Sequence, residues 1–434
     1  MGYLAENETL SNTLEESVSL LIGLNTGEED YDSNMQELKA LARACDYEVA
    51  GMMVQSLAHP VCDTYIGHGK IDEICEAVSN LDISVCIFED TLSPVQLKNL
   101  SKLIPCKIMD RTGLILEIFS KRARTREAKL QVESAKLQYM LPRLIGMWEA
   151  IGRQGGGSGS TSNKGVGETQ LELDRRWIQK RMSELRRELE QIEHDRDIQR
   201  RKRERGQLPL VALVGYTNAG KSTIMNHLLA ISSAKSEAKQ VFEKDMLFAT
   251  LDTSIRRIDC ADRKSFLLSD TVGFLDKLPH GLIQAFRSTL DEIKYADLLL
   301  EVVDISDPKH IEQMKVTEDT LRELNASNIP CIRVMNKCDC FEEAIDYPRI
   351  DRDTIFISAG SNVGITELVA LIKQTVYKDN EELEVLIPYE CGNLVNLLNE
   401  NATVLVQDYR ADGVYIKADM PSAMVAKFSD YRIQ

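Results

Sequence analysis

An apolar segment that runs directly into a glycine-rich loop places the tightest constraint on the fold of this chain. Residues 210–214 are continuously apolar, as expected of a strand buried on both faces of a parallel sheet. The next eight residues match the pattern GxxxxGK followed by Ser or Thr; they are Gly215, Tyr216, Thr217, Asn218, Ala219, Gly220, Lys221 and Ser222. The glycines of such a loop let successive backbone N–H groups face a phosphate at the positive end of the following helix. We therefore predict a strand, a phosphate-binding loop and a helix within an α/β domain.

Two side chains of this loop suit a nucleotide that carries a metal ion. Lys221 can place its ammonium group against the β- and γ-phosphate oxygens, and Ser222 can offer its hydroxyl to Mg²⁺. The strand before the loop and the helix after it make the pattern specific. We therefore predict that Lys221 binds phosphate and is catalytic, and that Ser222 is a Mg²⁺ ligand.

A second strand predicts the metal side of the same site. Residues 266–268 are apolar and lead into Asp270, Thr271, Val272 and Gly273. A carboxylate at this strand end suits an outer-sphere contact with Mg²⁺, and Gly273 leaves its backbone N–H free to meet the γ-phosphate.

The segment between these two motifs supplies a candidate second hydroxyl. Its residues are Phe248, Ala249, Thr250, Leu251 and Asp252. A threonine in a loop usually has no such role, so the prediction rests on its position between the two stronger motifs. We predict that Thr250 is a Mg²⁺ ligand and that it is catalytic together with Lys221 and Gly273.

The base of the nucleotide is predicted to be guanine. A strand over residues 332–335 is followed by Asn336, Lys337, Cys338 and Asp339. The carboxylate of Asp339 can accept hydrogen bonds from the ring N–H and the exocyclic amine of guanine, a pair of donors that adenine lacks. We expect this carboxylate to be buried, so that adenine would leave it unpaired and be rejected strongly.

A third segment completes the predicted base site. Ser358, Ala359 and Gly360 follow a strand over residues 354–357, and a backbone N–H there can reach the O6 atom of guanine. Five elements thus occur in the order that a GTP-binding domain requires, each at a strand end or in a loop between strands.

The residue after Gly273 departs from the pattern of many signalling GTPases. Those proteins place a glutamine there to orient the attacking water, whereas this chain has Phe274. Phenylalanine cannot orient water, so another group or a partner must do so. We therefore predict an enzyme that hydrolyses GTP slowly by itself and is stimulated by a partner.

Four segments of the chain differ in their patterns. Strand-like and helix-like runs alternate over residues 1–118, which predicts an N-terminal α/β domain with a mostly parallel sheet. Residues 119–206 hold two long, charged helical runs around a Gly-rich loop at 152–168, which predicts an antiparallel helical hairpin. Residues 207–379 are predicted to form the P-loop GTP-binding domain, also α/β with a mostly parallel sheet, and residues 380–434 a small α+β domain.

Two local patterns of the N-terminal half add further expectations. A continuous helical stretch rich in strong helix formers is predicted to begin at Asp110 or Thr112. Residues 65–70, Tyr-Ile-Gly-His-Gly-Lys, are interpreted as a tight turn between a strand and a helix. A second phosphate site at residues 65–70 is the weaker alternative, because GxGK alone is a weak signal.

Charge is distributed unevenly along the chain. The net charge is −16, yet residues 121–205 contain 21 lysines and arginines against 13 acidic residues, a local net charge of +8. The remainder therefore carries −24. A basic segment inside an acidic protein predicts one local contact with a polyanion rather than a general affinity for nucleic acid, and DNA is not an expected partner.

Composition indicates a globular protein of a reducing compartment. The hydrophobic fraction is 43%, but the sequence has no apolar run long enough for a membrane span and no signal-peptide pattern at residues 1–10. The ten cysteines are scattered in mostly apolar contexts, which favours buried free thiols. We expect a cytoplasmic monomer, with peripheral association with a membrane left open.

These motifs together resemble the HflX family of ribosome-associated GTPases over roughly residues 15–434. Within the GTP-binding domain the resemblance rests on residues 248–252, 270–275, 278–280, 285–290 and 296–300. The more selective matches lie outside that domain, at residues 65–70, 110–116, 122–131, 153–157 and 167–172. Ser158, Val166 and Thr253 depart from residues that are common in the family, which implies differences of detail in the loop at 152–168 and in the first switch.

The resemblance implies a nucleotide-gated factor that uses GTP as substrate and Mg²⁺ as cofactor and binds the large ribosomal subunit. Its helical hairpin would lie against ribosomal RNA, and the protein would split or rescue ribosomes under stress. The positive charge of residues 121–205 suits a phosphate-rich groove. Family members share the phenylalanine at position 274, which implies stimulation by the ribosome.

Two functions of other classes stay open at this point. A GTP-regulated scaffold or adaptor would use the hairpin as a coiled-coil docking surface. An ATP-driven RNA or ribosome remodeller would work through the N-terminal domain. Basic runs on long helices are commonly solvated faces with acidic partners one turn away, such as Lys180 with Glu184. Nucleotide-dependent, salt-sensitive binding to ribosomal subunits would distinguish these functions.

Overall fold

The structure is a computed structural model. It describes residues 17–27, 31–154, 164–205, 208–231, 254–260, 262, 264–271, 273–274, 290–341 and 345–433. Side-chain surroundings are described for these residues except at 145–154, 164–171 and a few other positions. Contacts divide the chain into two compact units, one up to Glu188 and one formed by the described residues from Leu189 onward.

The first unit is built on a four-stranded parallel sheet with the strand order β2-β1-β3-β4. Its strands are β1 (Ser17–Asn25), β2 (Tyr47–Ser56), β3 (Val85–Phe88) and β4 (Lys107–Asp110). Its helices are α1 (Tyr31–Ala44), α2 (His68–Leu81), α3 (Pro94–Leu103), α4 (Arg111–Arg122) and α5 (Arg126–Gln154). The apolar run at 20–24 in β1 is buried on both faces, as a central parallel strand requires.

The predicted alternation of strands and helices is confirmed for β1 to β3 and α1 to α3. Strand β4 was not predicted, because its sequence Lys-Ile-Met-Asp has only two apolar residues between charged ends, whereas β3 is apolar throughout. Residues 65–67 lead into α2 at His68, but β2 ends at Ser56, so the connection is longer than the tight turn that was predicted.

The prediction of one continuous helix from Asp110 was wrong. Asp110 does cap α4, since its side chain accepts a hydrogen bond from the N–H of Gly113 at 2.8 Å. The helix then ends where Ala123 is extended, and α5 starts anew. Thr125 makes this restart possible, because its hydroxyl accepts a hydrogen bond from the N–H of Ala128 at 3.1 Å.

Helix α5 pairs in antiparallel fashion with α6 (Lys164–Arg205). Arg126 bridges to Glu188 at 2.9 Å, and Glu133 accepts two hydrogen bonds from Arg181 at 2.6 and 2.8 Å. Arg126 and the later Glu133 on α5 thus meet Glu188 and the earlier Arg181 on α6, so the two helices run in opposite directions. This register is that of a helical hairpin; the exact domain limits given above stay predictions.

The second unit contains a seven-stranded sheet with the order β10-β11-β9-β8-β5-β7-β6. Its strands are β5 (Leu210–Gly215), β6 (Ser254–Ile258), β7 (Phe266–Asp270), β8 (Leu298–Asp304), β9 (Cys331–Asn336), β10 (Arg349–Asp351) and β11 (Thr354–Phe356). Its helices are α7 (Lys221–Ile231), α8 (His310–Glu323) and α9 (Ile365–Val376). The five central strands are parallel and the two edge strands, β6 and β10, are antiparallel. The fold class is therefore α/β, as predicted.

Side chains on the two faces of this sheet form separate apolar clusters. Alternate residues of β5 go to opposite clusters: Val211 and Leu213 to one, Ala212 and Val214 to the other. Because the strands are parallel, their carboxyl ends lie at one edge of the sheet, where ligands of open α/β sheets bind.

The last segment of the chain forms an antiparallel sheet with the order β12-β14-β13. Its elements are β12 (Asn380–Ile387), α10 (Gly392–Asn401), β13 (Thr403–Arg410), β14 (Gly413–Pro421) and α11 (Ser422–Val425). The predicted hairpin is β13 with β14, whereas β12 and α10 were not predicted. Asp419, which is buried, pairs with Lys264 at 2.6 Å. Among the helices of the described residues, none is long and apolar enough to cross a membrane.

Candidate nucleotide-binding site

The loop between β5 and α7 has the backbone of a phosphate-binding loop. Gly215, Asn218 and Gly220 have positive φ values of 136°, 62° and 99°. A Cβ atom at Gly215 would lie 2.3 Å from the carbonyl oxygen of Val302, and one at Gly220 would lie 2.2 Å from Nδ2 of Asn336. Both glycines are therefore required by conformation and by the closeness of their neighbours.

Lys221 lies at the start of α7 with its ammonium group folded into the loop. Its Nζ donates hydrogen bonds to the carbonyl oxygens of Gly215 at 3.0 Å and Tyr216 at 2.6 Å. Burial lowers the pKa of Lys221 to about 8, while the nearby carboxylate of Asp270 acts in the opposite direction. Within the described part of the chain these carbonyl oxygens are the hydrogen-bond acceptors of Lys221, and a buried cation held in this way is well placed to exchange them for phosphate oxygens.

Asp270 ends β7 directly beside the loop. Its side chain is fully buried, and β7 pairs with β5 so that Asp270 is the register partner of Leu213. Thr271 fixes the chain after it, since its hydroxyl donates to the carbonyl oxygen of Leu213 at 2.6 Å. Asp270 and Ser222 both offer oxygen atoms, the donor type that Mg²⁺ prefers. The described residues contain no cluster of three or more His, Cys, Asp or Glu side chains that could hold a metal.

The main chain at Gly273 and Phe274 is tied to the phosphate-binding loop. The N–H of Phe274 donates to the carbonyl oxygen of Gly215 at 3.1 Å, and the carbonyl oxygen of Phe274 accepts from the N–H of Thr217 at 2.9 Å. A Cβ atom at Gly273 would lie 2.9 Å from both Nζ of Lys221 and Cα of Thr217. Gly273 therefore approaches the loop on the side of the lysine, where no larger residue fits.

The side chain of Phe274 is turned away from this site. It is 3% exposed and packs in the apolar cluster that contains Val214, Ile293 and Leu299. The sequence indicated only that this residue cannot orient water. The structure adds that the ring is part of the core and anchors the chain that follows Gly273.

Asn336 joins the phosphate-binding loop to the predicted base-binding segment. Its Nδ2 donates to the carbonyl oxygen of Ala219 at 2.8 Å, and its Oδ1 accepts from the N–H of Ala359 at 2.9 Å. Both polar atoms of this buried side chain are thus used within the protein. The sequence grouped Asn336 with the base-reading residues; the structure shows it holding three loops together.

Asp339 and its partners form the candidate base-recognition surface. Its Oδ1 accepts from the hydroxyl of Ser358 at 2.6 Å, and this hydrogen bond is the main reason why the pKa of Asp339 is lowered. The hydroxyl of Ser358 also accepts from the N–H of Ser361 at 3.2 Å, which fixes the turn after β11. The carboxylate is therefore ionised and oriented. The expected burial of Asp339 was wrong, because the residue is exposed.

Lys337 and Cys338 complete this segment. Lys337 has a positive φ of 62°, and its ammonium group pairs with Asp304 at the end of β8 at 2.7 Å. Cys338 is buried, and its N–H donates to the carbonyl oxygen of Ile357 at 3.2 Å. Asp304 and Val302 were not predicted from the sequence, because each becomes a neighbour only through the order of the strands. Ser361 was not predicted because it contributes its backbone N–H, which is the same for most residue types.

The predicted site residues thus fall into two sets. The first set lies at the carboxyl ends of β5 and β7 and consists of the loop at 215–222 with Asp270, Thr271 and Gly273. Those at 336–339 and 358–360 lie together after β9 and β11. The predicted residues at 248–252 and Val272 lie outside the described residues.

Comparison with known protein families matches three consecutive segments. Residues 32–120 match the GTP-binding GTPase N-terminal region, residues 122–203 the GTP-binding GTPase middle region, and residues 210–337 the 50S ribosome-binding GTPase family. These segments together span most of the chain, and the last contains the phosphate-binding loop.

Curated relatives match over nearly the whole length. GTPase HflX of Caldanaerobacter subterraneus subsp. tengcongensis is 40% identical over 415 residues, which cover 96% of this chain and 94% of that protein. GTPase HflX of Escherichia coli K12 is 39% identical over 395 residues, which cover 89% of this chain and 90% of that protein. A crystal structure of a GTP-binding protein from Sulfolobus solfataricus in complex with GDP is similar, with 24% identity, 83% and 99% of the two chains covered, and a TM-score of 0.46.

Proposed function

This chain belongs to the HflX family of GTPases, and we propose that it is a nucleotide-gated factor of the large ribosomal subunit that splits or rescues stalled ribosomes under stress. Hydrolysis of GTP to GDP and phosphate is the activity of the family. The observation that supports nucleotide gating best is the pair of hydrogen bonds made by Asn336. They connect the loop that would hold the phosphates with the turn that would hold the base.

Within this proposal each predicted residue has a role. Lys221 and the N–H groups of residues 215–222 bind the phosphates. Ser222 and Thr250 would hold Mg²⁺, and Asp270 would contribute through water; the ion would neutralise charge on the phosphates. Asp339 reads guanine, with Ser358 holding its carboxylate and the N–H groups of residues 358–360 facing O6.

The segment at Gly273 is suited to report the γ-phosphate. Its approach to Lys221 places its backbone beside the group that would bind the β- and γ-phosphates. The next residue is hydrogen-bonded to the loop through both its N–H and its carbonyl oxygen. A new hydrogen bond from Gly273 to a γ-phosphate would therefore act on a segment that is already coupled to the loop, and the chain after Phe274 would respond.

Replacing Phe274 by glutamine is not expected to create a faster enzyme. The side chain at this position lies in the core, so glutamine would leave a buried amide without partners and remove an aromatic ring, at a cost of about 3 kcal/mol in the free energy of unfolding. We expect no increase in single-turnover GTP hydrolysis by the isolated protein and a lower unfolding midpoint.

Phe274→Leu serves as the matched control, because it keeps an apolar side chain of similar size and should change both quantities little. A rate for Phe274→Gln at least about tenfold above the parent would contradict the placement of the ring, since that gain is what a correctly oriented water would bring.

The helical hairpin formed by α5 and α6 carries the surface that we propose contacts ribosomal RNA. On α6, Arg175 and Lys180 are exposed, and Trp177 between them is 50% exposed. Lys180 follows Trp177 by three residues and shares its face of the helix, while Arg175 adds a charge on another face; bases can stack on the ring while phosphates meet the charges. On this basis the protein acts in the cytoplasm, as a monomer, with the large subunit as partner.

The proposal is tested by co-sedimentation of the full-length protein with large ribosomal subunits, with GDP or a non-hydrolysable GTP analogue, over a range of salt concentrations. We expect binding with the GTP analogue that weakens steeply with salt. Arg175→Glu with Lys180→Glu should weaken binding and lower the slope of log affinity against log salt by about 1.5 to 2, the contribution of two phosphate contacts.

Lys315→Glu with Arg322→Glu makes the same change of charge on exposed positions of α8 and should leave binding unchanged. Binding that ignores the nucleotide, or an equal loss in both double variants, would count against the proposal and favour a GTP-regulated adaptor. Subunit separation driven by ATP and not by GTP would favour a remodeller acting through the N-terminal domain.

A further inference from the structure

Three cysteines lie close together on one face of the sheet of the first unit, and the nucleotide-binding site uses none of them. Cys86 is in β3, Cys106 directly precedes β4, and Cys75 is in α2. All three belong to the apolar cluster on that face. Cysteines that meet in this way between elements of one sheet are candidates for covalent chemistry.

Cys86 and Cys106 are in direct contact. Their sulfur atoms are 3.3 Å apart, with a thiol of one hydrogen-bonded to the sulfur of the other. Cys86 is fully buried, whereas Cys106 is partly exposed. Cys106 is therefore the more accessible of the two cysteines.

The two thiols also differ in acidity. Contact with Cys86 lowers the pKa of Cys106. The same contact, together with burial, raises the pKa of Cys86. Because the thiolate is the reactive form of cysteine, Cys106 is the nucleophile of the pair and Cys86 the thiol that stays protonated.

We propose that Cys106 and Cys86 form a peroxide-sensitive pair, in which Cys106 reacts with a hydroperoxide and Cys86 then closes an intramolecular disulfide. In the first step the Cys106 thiolate attacks one oxygen of H₂O₂, the O–O bond breaks, and hydroxide leaves and becomes water, so that Cys106 is a sulfenic acid. In the second step the Cys86 sulfur attacks the Cys106 sulfur, the S–O bond breaks, and the departing hydroxyl takes the thiol proton as water. Two thiols and one H₂O₂ thus give one disulfide and two waters, with two electrons transferred.

Formation of the disulfide requires the two sulfurs to move towards each other. A disulfide bond is about 2.05 Å long, so the sulfurs must approach by about 1.3 Å. Cys106 lies in the bend before β4, outside the ladder in which Val85 pairs with Lys107 and Cys86 with Ile108. A small movement of this bend therefore needs no change in the pairing of β3 with β4.

Cys75 is the competing thiol. Its sulfur donates to the carbonyl oxygen of Leu103 at 3.3 Å, and its pKa is raised by burial, Asp72 and Cys106. It is near enough to Cys106 for an electrostatic interaction, but the structure shows no direct contact between these two sulfurs. The proposal therefore predicts a bond between Cys86 and Cys106 and none between Cys75 and Cys106.

The test treats the reduced full-length protein with H₂O₂, blocks remaining thiols with N-ethylmaleimide, and maps peptides by mass spectrometry with and without reductant. Cleavage before Asp82 must be included, because trypsin leaves Cys75 and Cys86 in one peptide. We expect a Cys86–Cys106 linked peptide and a fall of about tenfold or more in the labelling of Cys106, reversed by dithiothreitol. Unchanged labelling of Cys106, a Cys75–Cys106 link, or a link between two chains would overturn the proposal.

Matched variants separate the two steps. Cys75→Ser should leave the disulfide intact. Cys86→Ala, which keeps a small apolar side chain in the core, should abolish it and let dimedone trap a sulfenic acid at Cys106. Cys106→Ser should give neither product. Circular dichroism and the unfolding midpoint of each reduced variant show whether it is folded; a folded Cys86→Ala variant with no dimedone adduct would refute Cys106 as the nucleophile.

Discussion

Replacing Asp339 by asparagine is expected to change the base that this protein binds from guanine to xanthine. The carboxylate can accept hydrogen bonds from both N–H groups of guanine, and Ser358 holds it in place with a hydrogen bond of 2.6 Å. Asparagine keeps one acceptor but turns an amide N–H towards the exocyclic amine. A lost charge-assisted hydrogen bond and a donor facing a donor should weaken GDP binding by at least about 100-fold.

The same change suits xanthine. Xanthine has a carbonyl oxygen where guanine has its amine, so an amide can pair with the ring N–H and this carbonyl oxygen together. Titration with fluorescent GDP and xanthosine diphosphate should show the xanthine nucleotide binding at least about tenfold more tightly to Asp339→Asn than to the parent.

Asp351→Asn is the control for this experiment, because Asp351 is an exposed aspartate on β10 of the same unit. It should change neither affinity. If Asp339→Asn bound GDP within about threefold of the parent, a difference below 1 kcal/mol, the guanine-reading role of Asp339 would be lost. Loss of both nucleotides together would instead indicate a damaged site, which a parallel measurement of the unfolding midpoint detects.

Asp110→Asn is expected to be among the most destabilising single changes in the first unit. The fully buried carboxylate accepts from the N–H groups of Gly113 and Leu92, from the hydroxyl of Tyr139 at 2.6 Å, and from Arg143 at 2.7 Å. Two of these donors are side chains of α5. The carboxylate therefore binds the end of β4 to the first helix of the hairpin.

An amide cannot replace this carboxylate. Its NH₂ group would face either the Arg143 guanidinium or donors of the backbone, and Arg143, which is 14% exposed, would lose its counter-charge. Breaking a buried pair by removing one partner costs about 3–5 kcal/mol, so we expect a loss of about 3 kcal/mol in the free energy of unfolding. Urea titration followed by tryptophan fluorescence measures it, because Trp148 and Trp177 both lie on the hairpin helices.

Asp46→Asn is the matched control, since Asp46 pairs with Lys121 at 3.3 Å but is 71% exposed. An exposed pair of this kind contributes little, so the change should stay within about 0.5 kcal/mol. Hydrogen exchange then locates the effect: Asp110→Asn should speed exchange in α4 and in the middle of α5. Equal losses in the two variants would show that the carboxylate of Asp110 has no special role.

Much of the nucleotide-binding site could be predicted from the sequence. The loop at 215–222, Asp270 with Gly273, and the segments at 336–339 and 358–360 are each a short contiguous peptide beside an apolar strand. Their chemistry depends on residue type and on backbone conformation over a few positions, both of which a local pattern records. The burial of Asp339 was mispredicted because the exposure of a side chain depends on neighbours that are distant in the sequence.

Short elements and helix breaks were harder to predict for a different reason. Strands β4 and β10 are short and have charged residues at both ends, so neither shows the apolar run by which the similarly short β3 was predicted. The break between α4 and α5 depends on a hydrogen bond of Thr125 within a segment of good helix formers. The helix propensity averaged over this segment therefore does not indicate a break.

Local patterns were therefore enough to predict a phosphate-binding loop, a guanine-reading segment and a basic helical hairpin. How these parts are joined follows only from the fold. Asn336 reaches Ala219, which is 117 residues away, because β9 and β5 lie in one sheet with their carboxyl ends at the same edge. Phe274 points into the core, and Cys86 meets Cys106, for the same physical reason: strand order and register set which side chains become neighbours, and neither is written in a local pattern.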